Sequence, residues 1–304
     1  MTRRERLSLV AALCVLGAGW GLTQPLAKLA VSTGYEPLGL LFWQMTIGVA
    51  VLAPITVLRG KTLPMRPEHL RVYIMIALIG TLLPQYASYS AVRHLPAGLM
   101  SILLSLVPMF AFPIALALSL ERFQAARLFG LLFGLAGVSL IVLPEASLPD
   151  RAALIWIPIA LIPAMFYGFE GNFVARWGTA GLDPIQVLCG ASLVGACLAL
   201  PLALASGEWI NPVRVFGMAE WAHVGSSIIH AIVYSGYVWM VGRAGSVFAA
   251  QVSYLVTGFG VFWAMLVLGE RYSLWIWAAM GLMFLGLFLV QPRPSQRSTS
   301  SVAP

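Results

Sequence analysis

Leu7–Val31, LSLVAALCVLGAGWGLTQPLAKLAV, holds one charged residue, Lys28, in an otherwise apolar or weakly polar run. A helix that crosses a bilayer needs roughly 20 predominantly apolar residues, and this stretch supplies them. The preceding Met1-Thr2-Arg3-Arg4-Glu5-Arg6 has the basic character of a secretory leader. The apolar region of a leader, however, is only about 7–15 residues long. The run is therefore read as a retained first span.

The rest of the chain repeats the pattern. Of its 304 residues, 60% are hydrophobic and 10% charged, whereas a soluble domain carries about 25% charged residues because its surface meets water. Further runs fall at 37–58, 72–92, 97–119, 128–144, 152–175, 184–206, 220–241, 246–268 and 274–291. Arg59-Gly60-Lys61, Pro67 and Asp150-Arg151 mark the loops between them. The fold class expected is all-α integral membrane, with ten transmembrane helices. Ten spans consume most of the chain and leave no room for a soluble catalytic domain. The three cysteines, Cys14, Cys189 and Cys197, lie inside apolar runs, so no disulfide framework is indicated.

Orientation follows from positive charge. With the N-terminus cytoplasmic, only Lys28, Arg93, Arg151, Arg214 and Arg271 of the 18 basic residues fall outside. Both termini are then cytoplasmic, as an even number of spans requires. The net charge of +7 is explained as this topology signal, with no nucleic-acid partner.

Gly34-Tyr35-Glu36-Pro37-Leu38 recurs as Gly181-Leu182-Asp183-Pro184-Ile185, and Leu120-Glu121-Arg122 as Gly269-Glu270-Arg271. The chain divides into repeats at 1–146 and 147–292, with a disordered tail over 293–304. Five spans per repeat is an odd number, so the halves enter the membrane inverted, an arrangement that suits alternating access in transporters.

Several motifs together resemble the EamA family of the drug/metabolite transporter superfamily. They are Trp20-Gly21 with Pro25, Pro96-Ala97-Gly98, Pro108, Glu121-Arg122, Gly130 to Gly137-Val138, Gly245-Ser246, Leu268-Gly269-Glu270-Arg271 and Gly286. The match runs from about residue 8 to 291. It departs at Ser119-Leu120-Glu121, where Leu-Gly-Glu is usual, and at Thr257, where proline is frequent. The resemblance implies ten spans, the inner membrane and transport of a small metabolite. Members export amino acids and metallophores or import vitamins and nucleotide-like solutes, so substrate and direction do not carry over. It also implies a cavity lined by spans one, three, four, six, eight and nine.

Polar side chains inside lipid must face protein or water, so they mark the solute path. In the third span Thr81, Gln85 and Ser88 share a helical face, and in the eighth His230, Tyr234 and Tyr237 occupy the equivalent positions. Ser105 aligns with Tyr254, and Gln251 lies one turn before it. Trp20 aligns with Tyr167, and Thr23 with Glu170, while Gln24 completes the first span's set. Tyr86 and Tyr89 lie on or near the polar faces. Aromatic walls of this kind suit planar or cationic solutes.

Glu170 is the sharpest single residue. It reads as a proton-coupling carboxylate or a ligand for a cationic group, or else as a structural partner of Lys28 or Arg176. His230 reads as a proton relay or as one end of an interhelical hydrogen bond. Glu121 and Glu270 end their helices at opposite membrane surfaces, where the macrodipole opposes a carboxylate, and are read as gate or loop-fixing groups. Gly17-x-x-x-Gly21 and Gly130-x-x-x-Gly134 are close-approach faces, the latter between spans four and five.

The leading expectation is a secondary transporter for an amino acid or related amphipathic compound, most simply an exporter, with a proton as candidate coupling ion. A vitamin or nucleotide importer, an enzyme and a scaffold are the alternatives. Against an enzyme, His69, His94, His223 and His230 have no acidic partner in spacing, and an ATP-driven pump is excluded because no P-loop occurs. No cofactor or metal is expected, and monomer and homodimer both remain open.

Overall fold

The computed structural model describes residues 3–144, 148, 150–213, 215–244 and 251–290, and these form helices and loops without a strand. In chain order they are α1 (Arg3–Val31), α2 (Pro37–Leu58), α3 (Pro67–Met75), a π-helical segment (Ile76–Leu82) and α4 (Leu83–Val92). Then come α5 (Ala97–Leu104), α6 (Val107–Ala117), α7 (Ala125–Val142), a 3-10 turn (Arg151–Trp156) and α8 (Ile157–Trp177). The order closes with α9 (Pro184–Ala205), α10 (Met218–Ala244), α11 (Val252–Leu268) and α12 (Leu274–Val290). Among the described residues, seven helical stretches are long and apolar enough to cross a membrane, and α11 and α12 are shorter apolar helices. Gly245-Ser246, the predicted start of the ninth span, Arg214 and the tail lie outside the described residues.

Proline explains most departures from unbroken spans. The third span starts at Pro67, a turn earlier than predicted, because proline suits the first helical position and Glu68 the first turn. Pro84 has no N–H and its ring crowds the carbonyl four residues back. The helix preceding it widens into the π-helical register over Ile76–Leu82. The fourth span is likewise interrupted at Ser105–Leu106, directly before Pro108. The recurring Gly-x-Glu/Asp-Pro sequence is a helix start: Gly34 and Gly181 take positive φ, and Pro37 and Pro184 open α2 and α9. Asp183 completes a capping box with Gln186. Glu36 does not cap α2, which receives the Glu208 carboxylate on the Leu38 N–H instead.

α2 packs on α9, and α7 on α12. α1 lies between α10 and α11, while α8 packs on the π-helical segment, α4, α5 and α6. From Ala97 to Leu103, α5 is buried throughout. Gly17 and Gly21 let α1 approach Leu255 and Phe259 of α11. Gly134 meets Met109 of the fourth span as expected, but Gly130 meets Gly286 and Val290 of α12.

Candidate functional site

Trp20, midway along α1, donates from Nε1 to His230 Nδ1 of α10 at 3.3 Å. Its ring also lies 6.1 Å from Tyr234 and 5.5 Å from Tyr237, centroid to centroid. The three α10 residues face α1 because they recur every three or four positions. One indole thus gathers a cluster of four rings, with His230 accepting.

Glu170 of α8 approaches this cluster through Tyr234, which is within electrostatic reach of its carboxylate, as is Tyr167. On its other side is Gly80 of the π-helical segment, where an added Cβ would stand 2.5 Å from Glu170 Oε1. Among the described residues Glu170 has neither hydrogen bond nor ion pair. The expected partners are elsewhere. Lys28 donates to the carbonyls of Val92, Arg93 and Leu95 at the end of α4, and Arg176 is exposed.

The remaining predicted residues separate into groups. Tyr89 is buried and donates to Gln44 Oε1 of α2 at 2.8 Å, with the His223 ring 6.1 Å away. Tyr86, three residues earlier, is 45% exposed and stands apart. Gln85 and Ser88 lie in α4, but Thr81 belongs to the π-helical segment, so the predicted three-residue face is interrupted. Ser105 is buried and donates to Ile102 O in its own turn. Tyr254 packs 5.7 Å from Phe284 of α12, and its buried hydroxyl, like Gln24 Oε1, has no hydrogen-bond partner among the described residues. Gln251 flanks the start of α11. Gln44 escaped the sequence reading, although a glutamine inside an apolar run carries the same signal as Gln85. Gly80 carried no such signal, because its role depends on what lies opposite.

The two Glu-Arg sequences take different partners. Glu121 pairs with Arg127 at 3.2 Å, not with Arg122, and the buried Arg127 guanidinium lies over the Phe112 ring at 5.1 Å. Glu270 follows the C-terminus of α11, yet its carboxylate accepts from the N–H groups of Ala97 (2.7 Å) and Gly98 (3.1 Å) at the start of α5. The positive end of another helix thus offsets the opposing dipole of its own. Tyr272 also donates to Glu270, and burial together with that carboxylate holds the Tyr272 hydroxyl well above the usual phenol range.

This surface carries further cross-links. Arg93 reaches Glu36 at 2.7 Å and the Tyr35 carbonyl, Tyr35 donates to Glu220, and His94 stacks on Trp156 with centroids 3.9 Å apart. A cavity of about 280 Å3 lies among Lys28, His94, Asp150, Glu270 and Arg271. A smaller apolar one of about 70 Å3 lies between α2 and α10. Neither is lined by Trp20, Glu170 or His230. Among the described residues no three His, Cys, Asp or Glu side chains group as metal ligands.

The sequence profile of the EamA-like transporter family matches residues 7–143 and again 154–291. The chain belongs to the EamA-like transporter family. It is accordingly a multi-pass membrane protein of a transporter family, not an enzyme. It is 22% identical over 276 residues to the uncharacterized transporter YoaV of Bacillus subtilis, covering 89% of this chain and 92% of that one. It is 24% identical over 267 residues to a protein of Streptantibioticus cattleyicolor described as a probable terminal-alkyne amino-acid exporter, covering 86% of each. A WAT1-related protein of Arabidopsis thaliana is 23% identical over 285 residues, covering 87% of this chain and 82% of that one. A solved crystal structure superposes with a TM-score of 0.62 at 21% identity, covering 92% of this chain and 96% of that chain, and shares the fold.

Proposed function

We propose that this EamA-like transporter moves a small organic metabolite, an amino acid or related amphipathic compound, out of the cell across the inner membrane by alternating access. The observation that carries the reading is Glu170: a carboxylate within a spanning helix, without partner among the described residues, next to a ring cluster built by α1 and α10. A partnerless charge in such a place is costly and marks a path for something that binds it. The amino-acid class is supported by the exporter named among the relatives.

The architecture proposed is ten spans in two inverted halves, 1–146 and 147–292, followed by a tail over 293–304, with both termini cytoplasmic. Its support is the double match of the family profile and the helix pairing. α1 packs on α10 and α11 much as α8 packs on α4 and α6, which is the relation expected of two related halves. Trp20, Gln24, Tyr167, Glu170, His230, Tyr234 and Tyr237 contribute to the solute path, with Gln85, Tyr89, Ser105, Gln251 and Tyr254 at its margins. Tyr86 is the weakest member, given its exposure. Glu270 serves as a latch that seals the end at which it caps α5, and Glu121 is its counterpart at the other surface. A proton bound at Glu170 is the candidate coupling ion.

The test is counterflow in proteoliposomes against amino acids, amines and vitamins, with and without a pH gradient. Saturable flux of at least one amino acid or amphipathic amine is expected. Absence of saturable flux for every solute would overturn the proposal.

A further inference from the structure

The surroundings of Glu170 are short of hydrogen-bond donors. The Leu83 N–H is given to Leu78 O, and residue 84, which would serve Ile79 O, is a proline. Ile79 O therefore has no donor from the helix ladder, and no side chain among the described residues supplies one. Its neighbour Gly80 presents bare backbone to the Glu170 carboxylate, which leaves no space for even a methyl group. On α1, one turn beyond Trp20, the buried acceptor Gln24 Oε1 has no partner among the described residues. In the ring cluster, Trp20 and Tyr234 stand edge to face with centroids 6.1 Å apart.

The basic side chains on the flanking helices are either held by other groups or exposed, Arg71 among the latter. Lys28 is held by three carbonyls, Arg176 is exposed, and Arg243 lies 4.0 Å from Glu5 at the far end of α1. The Glu170 carboxylate stands against the Gly80 backbone and within electrostatic reach of Tyr234, and no cationic side chain among the described residues is bonded to it.

The geometry points to a seat for the protonated amine of the solute, formed by the Glu170 carboxylate against the π-helical backbone at Ile79–Gly80, with the solute body on the Trp20–Tyr234 rings. An ammonium group brings three donors and no acceptor, the complement of this set, and it gains from aromatic faces. This deepens the transporter reading and rests on it. It narrows the solute to an amphipathic compound that carries a protonated amine, amino acids among them. Gly80 becomes a specificity-determining position and Pro84 the residue that frees the carbonyl.

The test uses the full chain in proteoliposomes and four probes that share one ring: phenethylamine, phenylalanine, 3-phenylpropionate and 2-phenylethanol. Phenethylamine is expected to support saturable counterflow and to compete at least about tenfold better than the alcohol or the acid, as a charge-assisted contact provides. Glu170→Gln is expected to abolish that advantage. Gly80→Ala is expected to weaken the amine by about tenfold or more, since its methyl displaces the carboxylate. If Gly80→Ala is not recovered folded, Glu170→Asp, which withdraws the charge by one methylene, is read in its place with the same expectation. Equal competition by amine and alcohol, or a Glu170→Gln protein that still prefers the amine, overturns the seat. Saturable flux of other solutes without amine preference overturns the seat and leaves the transporter reading standing. No saturable flux for any solute removes both.

Discussion

A carboxylate without a partner and a tyrosine with one set the terms at the scale of single residues. Tyr89 donates to Gln44 where both are buried, so removing the hydroxyl strands an amide oxygen. Tyr89→Phe is expected to lower stability by about 0.6–2 kcal/mol, the range for hydrogen bonds between membrane helices. Tyr89→Phe combined with Gln44→Met should recover part of that loss, because both partners are then apolar. Thermal unfolding in detergent checks the pair, and an additive double variant would count against the bond. Glu170 acts on flux instead. Glu170→Gln is expected to insert normally and to lose any pH dependence of counterflow. Tyr167 and Tyr234, which lie within electrostatic reach of the carboxylate, and His230 of the same ring cluster as Tyr234 remain in that variant. Undiminished pH-dependent flux would remove the proton from the proposal.

Helix ends decide matters at the scale of elements. Glu270→Ala takes a carboxylate from the start of α5, a loss of about 0.5–2 kcal/mol by analogy with helix caps. The expected result is lower expression or slower cycling with unchanged order of preferred solutes, measured by competition. At α9, burial pushes the Asp183 carboxyl upward, but the Gln186 and Ile185 N–H groups and the Arg59 guanidinium together hold it below the usual carboxylate range. A lowered folded pKa means that this stabilisation is present above the unfolded value of about 3.9 and is lost as pH falls through the folded one. Asp183→Asn keeps a capping side chain and is expected to flatten the acid limb of melting temperature against pH. An unchanged acid limb would sink that assignment. The sequence showed where the helices lie because hydropathy is a local property. It did not show the π-helical register at Ile76–Leu82, since the expected Thr81, Gln85 and Ser88 face presumes 3.6 residues per turn throughout. Nor did it show Glu270 reaching Ala97, because nothing local links a carboxylate to N–H groups 173 residues away.

At the scale of the whole molecule, the proposed topology predicts which surfaces face the cell exterior. With Cys14, Cys189 and Cys197 replaced by serine, Asn211→Cys should react with an impermeant maleimide in intact cells. Arg66→Cys should react only after permeabilisation. The reverse pattern would invert the orientation while leaving the fold untouched. The two surfaces are also joined differently. At one, Arg59–Asp183 at 3.1 Å, Gln186 to Thr62 O at 2.6 Å and Glu121–Arg127 are separate contacts. At the other, Lys28, Arg93, Glu36, Glu208, Glu220 and Glu270 bind helix termini and one another in a dense group. A seam stitched from peptide groups and charges can be unpicked by water, which satisfies each freed donor and acceptor at a net difference of only about 0.5–1.5 kcal/mol per bond. Parting it asks no buried leucine to find a new neighbour. Such a seam can be opened and resewn at every turnover without wearing the packed layers beneath it.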